Sequence, residues 1–196
     1  MGAFLPVKCE YHDNFLTAQA AAAGALDREA QPCLFDRLDW LVTLHRLALR
    51  ERTPALLRGS EDSKECWMPM MTVGGGQLMA LANWYNFSWR PIFNGADNEV
   101  QKLALLRAMA ETAPNHARRI TLSPLPDEDH SASLLQTAFE QSGWVVFRET
   151  CDQNHILNVR GRSFDTYWQD RPSRLKNTVK RKAKTGVVSI RIDREF

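Results

Sequence analysis

The hydrophobic period of this chain switches repeatedly between two and 3.6, and that switching limits the fold more than any other feature. Residues 4–11, FLPVKCEY, alternate as a first strand with Pro6 near its start. The Ala-rich stretch 17–30 reads as a helical or loosely ordered connector. Residues 36–50, DRLDWLVTLHRLALR, put Leu38, Leu41, Val42, His45 and Leu49 on one helical stripe with Asp36 as a cap. Pro54 opens the short strand PALLRG, and residues 66–84 form two apolar runs around Gly74–Gly76, a hairpin. A helix over 97–114, with Asp97 near its start and Pro114 as its stop, leads to a strand over 118–125. Residues 127–143 read as a further helix, with acids in its first turn and Gly143 beyond its last.

Two closing strands follow on the same reasoning, WVVFRE (144–149) and HILNVR (155–160), joined by a turn through Asp152–Asn154. Ser163 begins a short helix, Pro172 opens another that reaches Gly186, and VVSIRI (187–192) enters one more strand. Such alternation predicts an α/β (α+β) fold, a mixed, mainly antiparallel central sheet with helices on both faces. The expected division is a domain over 1–160 and a leading helix and strand of a second domain over 161–196. A chain that stops just inside a strand reads as cut.

Charge is concentrated in one place. RPSRLKNTVKRKAKTG (171–186) carries Arg171, Arg174, Lys176, Lys180, Arg181, Lys182 and Lys184 and no acid. Outside it, 18 basic residues face 23 acidic ones, so the rest of the chain is net acidic. Leu175, Val179 and Lys182 fall about a turn apart as a thin anchoring stripe within the run. A helix-turn-helix, a zinc finger or an RNP signature would be needed to favour nucleic acid, and none occurs. A solvated helix and an anion-facing helix led by Arg171, Arg174 and Lys176 both remain open. Cys9, Cys33, Cys66 and Cys151 form no CxxC pair and follow no signal peptide, which predicts reduced thiols in the cytoplasm. No run is long and apolar enough for a membrane span.

The densest local composition is NWYNFSWRP (83–91), four aromatics, two asparagines and an arginine in nine residues. Asn83, Trp84, Tyr85, Trp89 and Arg90 are candidates for binding a saccharide or peptide, since aromatic faces stack on apolar ring faces while polar groups set orientation. The competing structural reading puts Trp84 and Phe87 in the core, with Tyr85 and Trp89 over the sheet edge. The five histidines do not cluster, no metal-ligand spacing occurs, and no catalytic residue can be named. His45, on its apolar stripe, reads as a core residue.

The segments LFDRLDWLVTLH, LANWYNFSWRPIF, QSGWVVF and GRSFDTYWQDRPSRLKNTVKRKAK resemble the first half of CelD-like acetyltransferases, a branch of the GNAT superfamily associated with cellulose and exopolysaccharide synthesis. These in turn resemble Fem-type ligases in joining two GNAT-like domains. The resemblance implies transfer of an acyl group from acetyl-CoA or another acyl-CoA to an amine or hydroxyl acceptor, with coenzyme binding and catalysis in a missing C-terminal GNAT-like domain. Self-association through the face left by that domain follows as a further expectation. GNAT domains hold the pyrophosphate with a Q/R-x-x-G-x-G/A loop; here the corresponding loop offers Arg90 and then Asn94-Gly95-Ala96, with Asp97 and Glu99 in the next helical turn. One glycine, the wrong spacing and two acids predict that no coenzyme is bound by this piece.

Overall fold

A computed structural model describes residues 6–150, 157–158 and 160–186. The chain divides into two compact units, Met1–Cys151 and Asp152–Phe196.

The first unit runs β1 (Lys8–His12), α1 (Phe15–Ala22), a 3-10 turn (Leu34–Asp36), α2 (Leu38–Ala48), β2 (Pro54–Glu61), β3 (Lys64–Gly74), β4 (Gln77–Ala80), β5 (Ile92–Asn94), α3 (Glu99–Thr112), β6 (Arg119–Thr121) and α4 (Ser131–Gln141). The strands form one sheet in the order β1-β2-β3-β4-β6, with β5 also paired to β3. Among the described residues every pairing is antiparallel except β4 with β6. The expected sheet is therefore present, mixed and mainly antiparallel.

Side-chain alternation along the central strands feeds two cores. Ala55, Leu57, Cys66, Met68, Met70 and Leu78 meet Leu105, Leu106 and Met109 of α3 and Leu135 and Phe139 of α4. Leu56, Trp67 and Met71 point the other way, onto Ala18 and Ala22 of α1 and Leu38 and Leu41 of α2. Helices thus cover both faces, and the central strands are apolar at successive positions because neither face is wet. Gly59 sets how closely α3 approaches: a Cβ there would lie 2.9 Å from Met109 Cγ.

A long strand, β3, carries two partners along one edge. Met70 faces Ala80 of β4, and Trp67 faces Ile92 of β5, so residues 81–91 leave the sheet between the two. Pro69 sits at that gap. Its carbonyl accepts from Leu81 N at 3.0 Å, so the same edge is where its missing N–H would have donated. The ladder cannot run through, and the fourth strand breaks into β4 and β5.

Several sequence expectations shift against this structure. β5, directly after the aromatic run, was not expected. Asp36 does not cap α2; it is buried in the 3-10 turn, and α2 has no side-chain cap. α4 begins at Ser131 rather than 127, because Asp129 Oδ1 accepts from Ser131 N at 3.0 Å and His130 takes a left-handed φ of 60°. Residues 144–149 are not a strand. They alternate in burial, with Val146 and Trp144 packed on the α3/α4 core, yet no described strand pairs with them. Alternation reports which face is covered; a strand also needs a ladder partner. The expected partner at 155–160 and the strand at 187–192 fall largely or wholly outside the described residues.

The second unit shows two helices, α5 (Phe164–Gln169) and α6 (Ser173–Ala183). Ser163 Oγ accepts from Thr166 N at 3.1 Å and caps α5. Pro172 precedes α6 at its cap position. No helix among the described residues is long and apolar enough to cross a membrane.

Candidate functional site

The excursion 81–91 holds most of the residues singled out by composition, and it sorts them by depth. Asn83 and Asn86 close a tight turn. Asn83 Oδ1 accepts from Tyr85 N at 2.9 Å, Asn86 N donates to the Asn83 carbonyl at 3.0 Å, and Asn86 Oδ1 accepts from Asn83 N at 3.4 Å. Both amide oxygens are thereby committed to the backbone, as asparagine turns require. The turn pushes Trp84 and Tyr85 outward, 98% and 72% exposed, with Phe87 at 87%. Phe87 meets Phe35 edge-on at 5.8 Å, and Phe35 meets Trp40 at 5.5 Å, so the ridge continues onto the start of α2.

Trp89 does the opposite. It is 4% exposed and belongs to the α3/α4 core. Its indole Nε1 donates to the Pro69 carbonyl at 2.6 Å, and its backbone N donates to the Pro124 carbonyl at 2.6 Å. Pro124 follows β6, and Pro69 marks the gap in the edge of β3. Trp89 therefore fills the fork where the chain leaves the parallel pair β4 and β6. Open sheets place ligands in the crevice beyond the carboxyl ends of parallel strands; here an indole occupies it. The structural reading of this stretch is inverted: Trp84 and Phe87 lie outside and Trp89 inside.

Arg90 is a clamp. Its Nε donates to Asp36 Oδ2 at 3.1 Å and its Nη1 to Asp129 Oδ2 at 2.9 Å. The three residues tie the 3-10 turn before α2 to the loop before α4, across the broken sheet edge. Burial pushes the Asp36 carboxyl above its ordinary value despite Arg90. Desolvation acts on Asp129 too, but hydrogen bonds from Arg90 and Ser131 outweigh it and hold that carboxyl low. Arg90 is raised: its own desolvation is outweighed by the bond to Asp129 and the charge of Asp36. Beside the clamp is an open concavity of about 240 Å³ whose lining includes Cys33, Asp36, Arg90, Lys102, Asp129 and Ser131.

The loop before α3 is closed upon itself. Asn98 Oδ1 accepts from Gln101 N at 3.0 Å, and Gln101 Oε1 accepts from Asp97 N at 3.0 Å. Glu99 occupies the first turn. Gly95 adopts φ +68°, and a Cβ there would lie 2.5 Å from the Ser63 carbonyl oxygen. Its glycine is explained by packing against the β2–β3 turn, not by room for an anion.

Arg171, Arg174 and Lys176 lie in the second unit. The Arg171 guanidinium stacks on Tyr167 at 4.4 Å, and its Nε donates to the Tyr167 carbonyl at 3.3 Å. Lys176 Nζ donates to the Gln169 carbonyl at 2.7 Å. Arg174 shares an exposed face of α6 with Asn177, Thr178 and Arg181. Arg171 and Lys176 thus hold α5 and α6 together, and Arg174 faces outward.

Sequence reasoning missed Asp36 and Asp129 as partners of Arg90. They lie 54 and 39 residues from it, with no local signal joining them. Pro69, inside an apolar run, was a signal for the broken strand. His45 is half-buried rather than a core residue: its Nε2 lies 2.6 Å from the Arg52 carbonyl, and Phe15 meets its ring edge-on at 5.3 Å. Among the described residues no group of three or more His, Cys, Asp or Glu is placed to hold a metal. Cys66 is fully buried, which pushes its thiol well up. No family model matches the chain, and neither a curated protein nor a solved structure does.

Proposed function

We propose that the first unit is a GNAT-like domain that has given up its own coenzyme site, serving an acyltransferase of the CelD-like kind from the acceptor side. The observation that carries the reading is Trp89 in the fork beyond β4 and β6. Supporting it are the order strand, two helices, three strands with the third broken, helix, strand and helix, and the self-capped start of α3. In this reading acyl-CoA is bound and the acyl group transferred in a second GNAT-like domain, to an amine or hydroxyl of a saccharide or peptide acceptor. The base that takes the acceptor's proton, and the donors that hold the thioester oxygen, belong there.

Turnover tests it. With acetyl-CoA and a panel of amine and saccharide acceptors, this chain alone releases no free CoA thiol, and the chain joined to a second GNAT-like domain does. Release by this chain alone would overturn the reading.

The exposed ridge favours a second reading, a non-catalytic interaction module. Trp84, Tyr85 and Phe87 present large apolar area, while the amide oxygens of Asn83 and Asn86 beside them are spent on the turn. Aromatics presented on a rigid turn are what protein interfaces use as anchors. Sedimentation at two concentrations, with wild type and with Trp84→Ser/Phe87→Ser, reports whether the ridge joins two copies of this chain.

A further inference from the structure

The basic helix α6 has two sides. At 100° per residue, Leu175, Val179 and Ala183 form one stripe, with the two larger side chains 42% and 45% exposed. Lys182 lies about 60° to one side of Val179 and Lys180 about 100° to the other on this geometry, and Arg174 and Arg181 fall on the far side. Among the described residues, none of Arg174, Lys180, Arg181, Lys182 and Lys184 makes an ion pair; the one pair in this unit joins Arg162 to Asp170. Nearby, Phe164 is 69% exposed and stacks on Trp168, 5.9 Å between ring centres.

We infer that α6 lies on an anionic lipid surface, with the Leu175–Val179–Ala183 stripe in the headgroup boundary and lysines along both edges reaching lipid phosphates. The charge complementarity is complete, since residues 171–186 hold seven cations and no acid. A nucleic acid would answer the cations but offer nothing to the apolar stripe, while a bilayer surface answers both. A protein groove calls for anchors at i, i+3, i+4 and i+7; α6 supplies large ones only at 175 and 179. Lysine stems can cover the stripe's flanks while their ammonium groups stay at the headgroups. Exposed Phe164 and half-buried Trp168 are of the type that settles at such a boundary. The inference is independent of acyl transfer and fails or stands separately from it.

The test is co-sedimentation of the full chain with phosphatidylcholine vesicles, with and without phosphatidylglycerol. Binding is expected only to the anionic vesicles and should fall as salt rises. Leu175→Ser/Val179→Ser keeps every charge and should weaken vesicle binding by about tenfold or more. Lys180→Gln and Lys182→Gln should each weaken it by about fivefold. These positions are exposed, and far-UV circular dichroism confirms that the variants fold. No binding to anionic vesicles overturns the inference. So does binding that survives Leu175→Ser/Val179→Ser but is lost in Arg174→Gln/Arg181→Gln, or a single-stranded oligonucleotide that displaces the vesicles at physiological salt; either would assign the far face of α6 to a nucleic acid or another soluble polyanion.

Discussion

Replacing Trp89 separates a structural indole from an exposed one within six residues of sequence. Trp89 is 4% exposed and donates at 2.6 Å to the Pro69 carbonyl, which lies at the gap between β4 and β5 along one edge of β3. Trp89→Ala removes a core aromatic, worth about 3–5 kcal/mol where the surroundings do not collapse. Trp89→Phe keeps most of the apolar area and drops the N–H donor, a loss of about 1–3 kcal/mol. Leu81 N still reaches the Pro69 carbonyl at 3.0 Å, which places Trp89→Phe toward the lower end. Trp84→Ala, at a side chain 98% exposed, should change stability by no more than about 0.5 kcal/mol. Urea unfolding followed by far-UV circular dichroism reads all three without relying on tryptophan emission, and the slope must stay constant for the comparison to hold. Domains are stable by only about 5–15 kcal/mol, so Trp89→Ala should move the midpoint far. Equal midpoints for Trp84→Ala and Trp89→Ala would refute the argument that Trp89 fills the fork.

Three further outcomes follow from the same geometry. Arg90→Leu leaves Asp36 buried without its cation and should cost about 2 kcal/mol in urea unfolding, discounted because Arg90 is partly exposed; adding Asp36→Asn should return part of that loss. Gly95→Ala meets both a left-handed φ and the Ser63 carbonyl at 2.5 Å, and should lower stability by about 2 kcal/mol or more, read as a fall in melting temperature. Burial holds the His12 imidazole below its ordinary value of about 6.5, so on acidification the unfolded chain takes the proton first. Its contribution is complete above about pH 6.5 and is lost as pH falls below that value; His12→Gln should flatten the dependence in urea midpoints measured across pH 5–8.

The elements with a strong period or a local stop could be read from the chain alone. β2, the β3–β4 hairpin around Gly74–Gly76, α2, α3 and α6 carry either one apolar stripe or a turn signal at each end. What escaped depends on pairing at a distance. Residues 144–149 show a strand's alternation, yet no described strand bonds to them. β5 is three residues long, and its existence follows from Pro69 lacking a donor in the opposite strand. Within NWYNFSWRP nothing local distinguishes the buried tryptophan from the exposed one. The choice is made by the Pro69 and Pro124 carbonyls, which only the fold brings to Trp89. Arg90 looked like a free guanidinium for the same reason, since both of its carboxylates come from distant segments.

The Trp89 indole is held between the Pro69 and Pro124 carbonyls, and acetyl-CoA calorimetry against this chain tests directly the proposal that no coenzyme binds beyond β4 and β6. The account predicts no saturable heat up to millimolar coenzyme. A micromolar Kd, with the Trp89 indole N–H resonance shifting as acetyl-CoA is added, would contradict it.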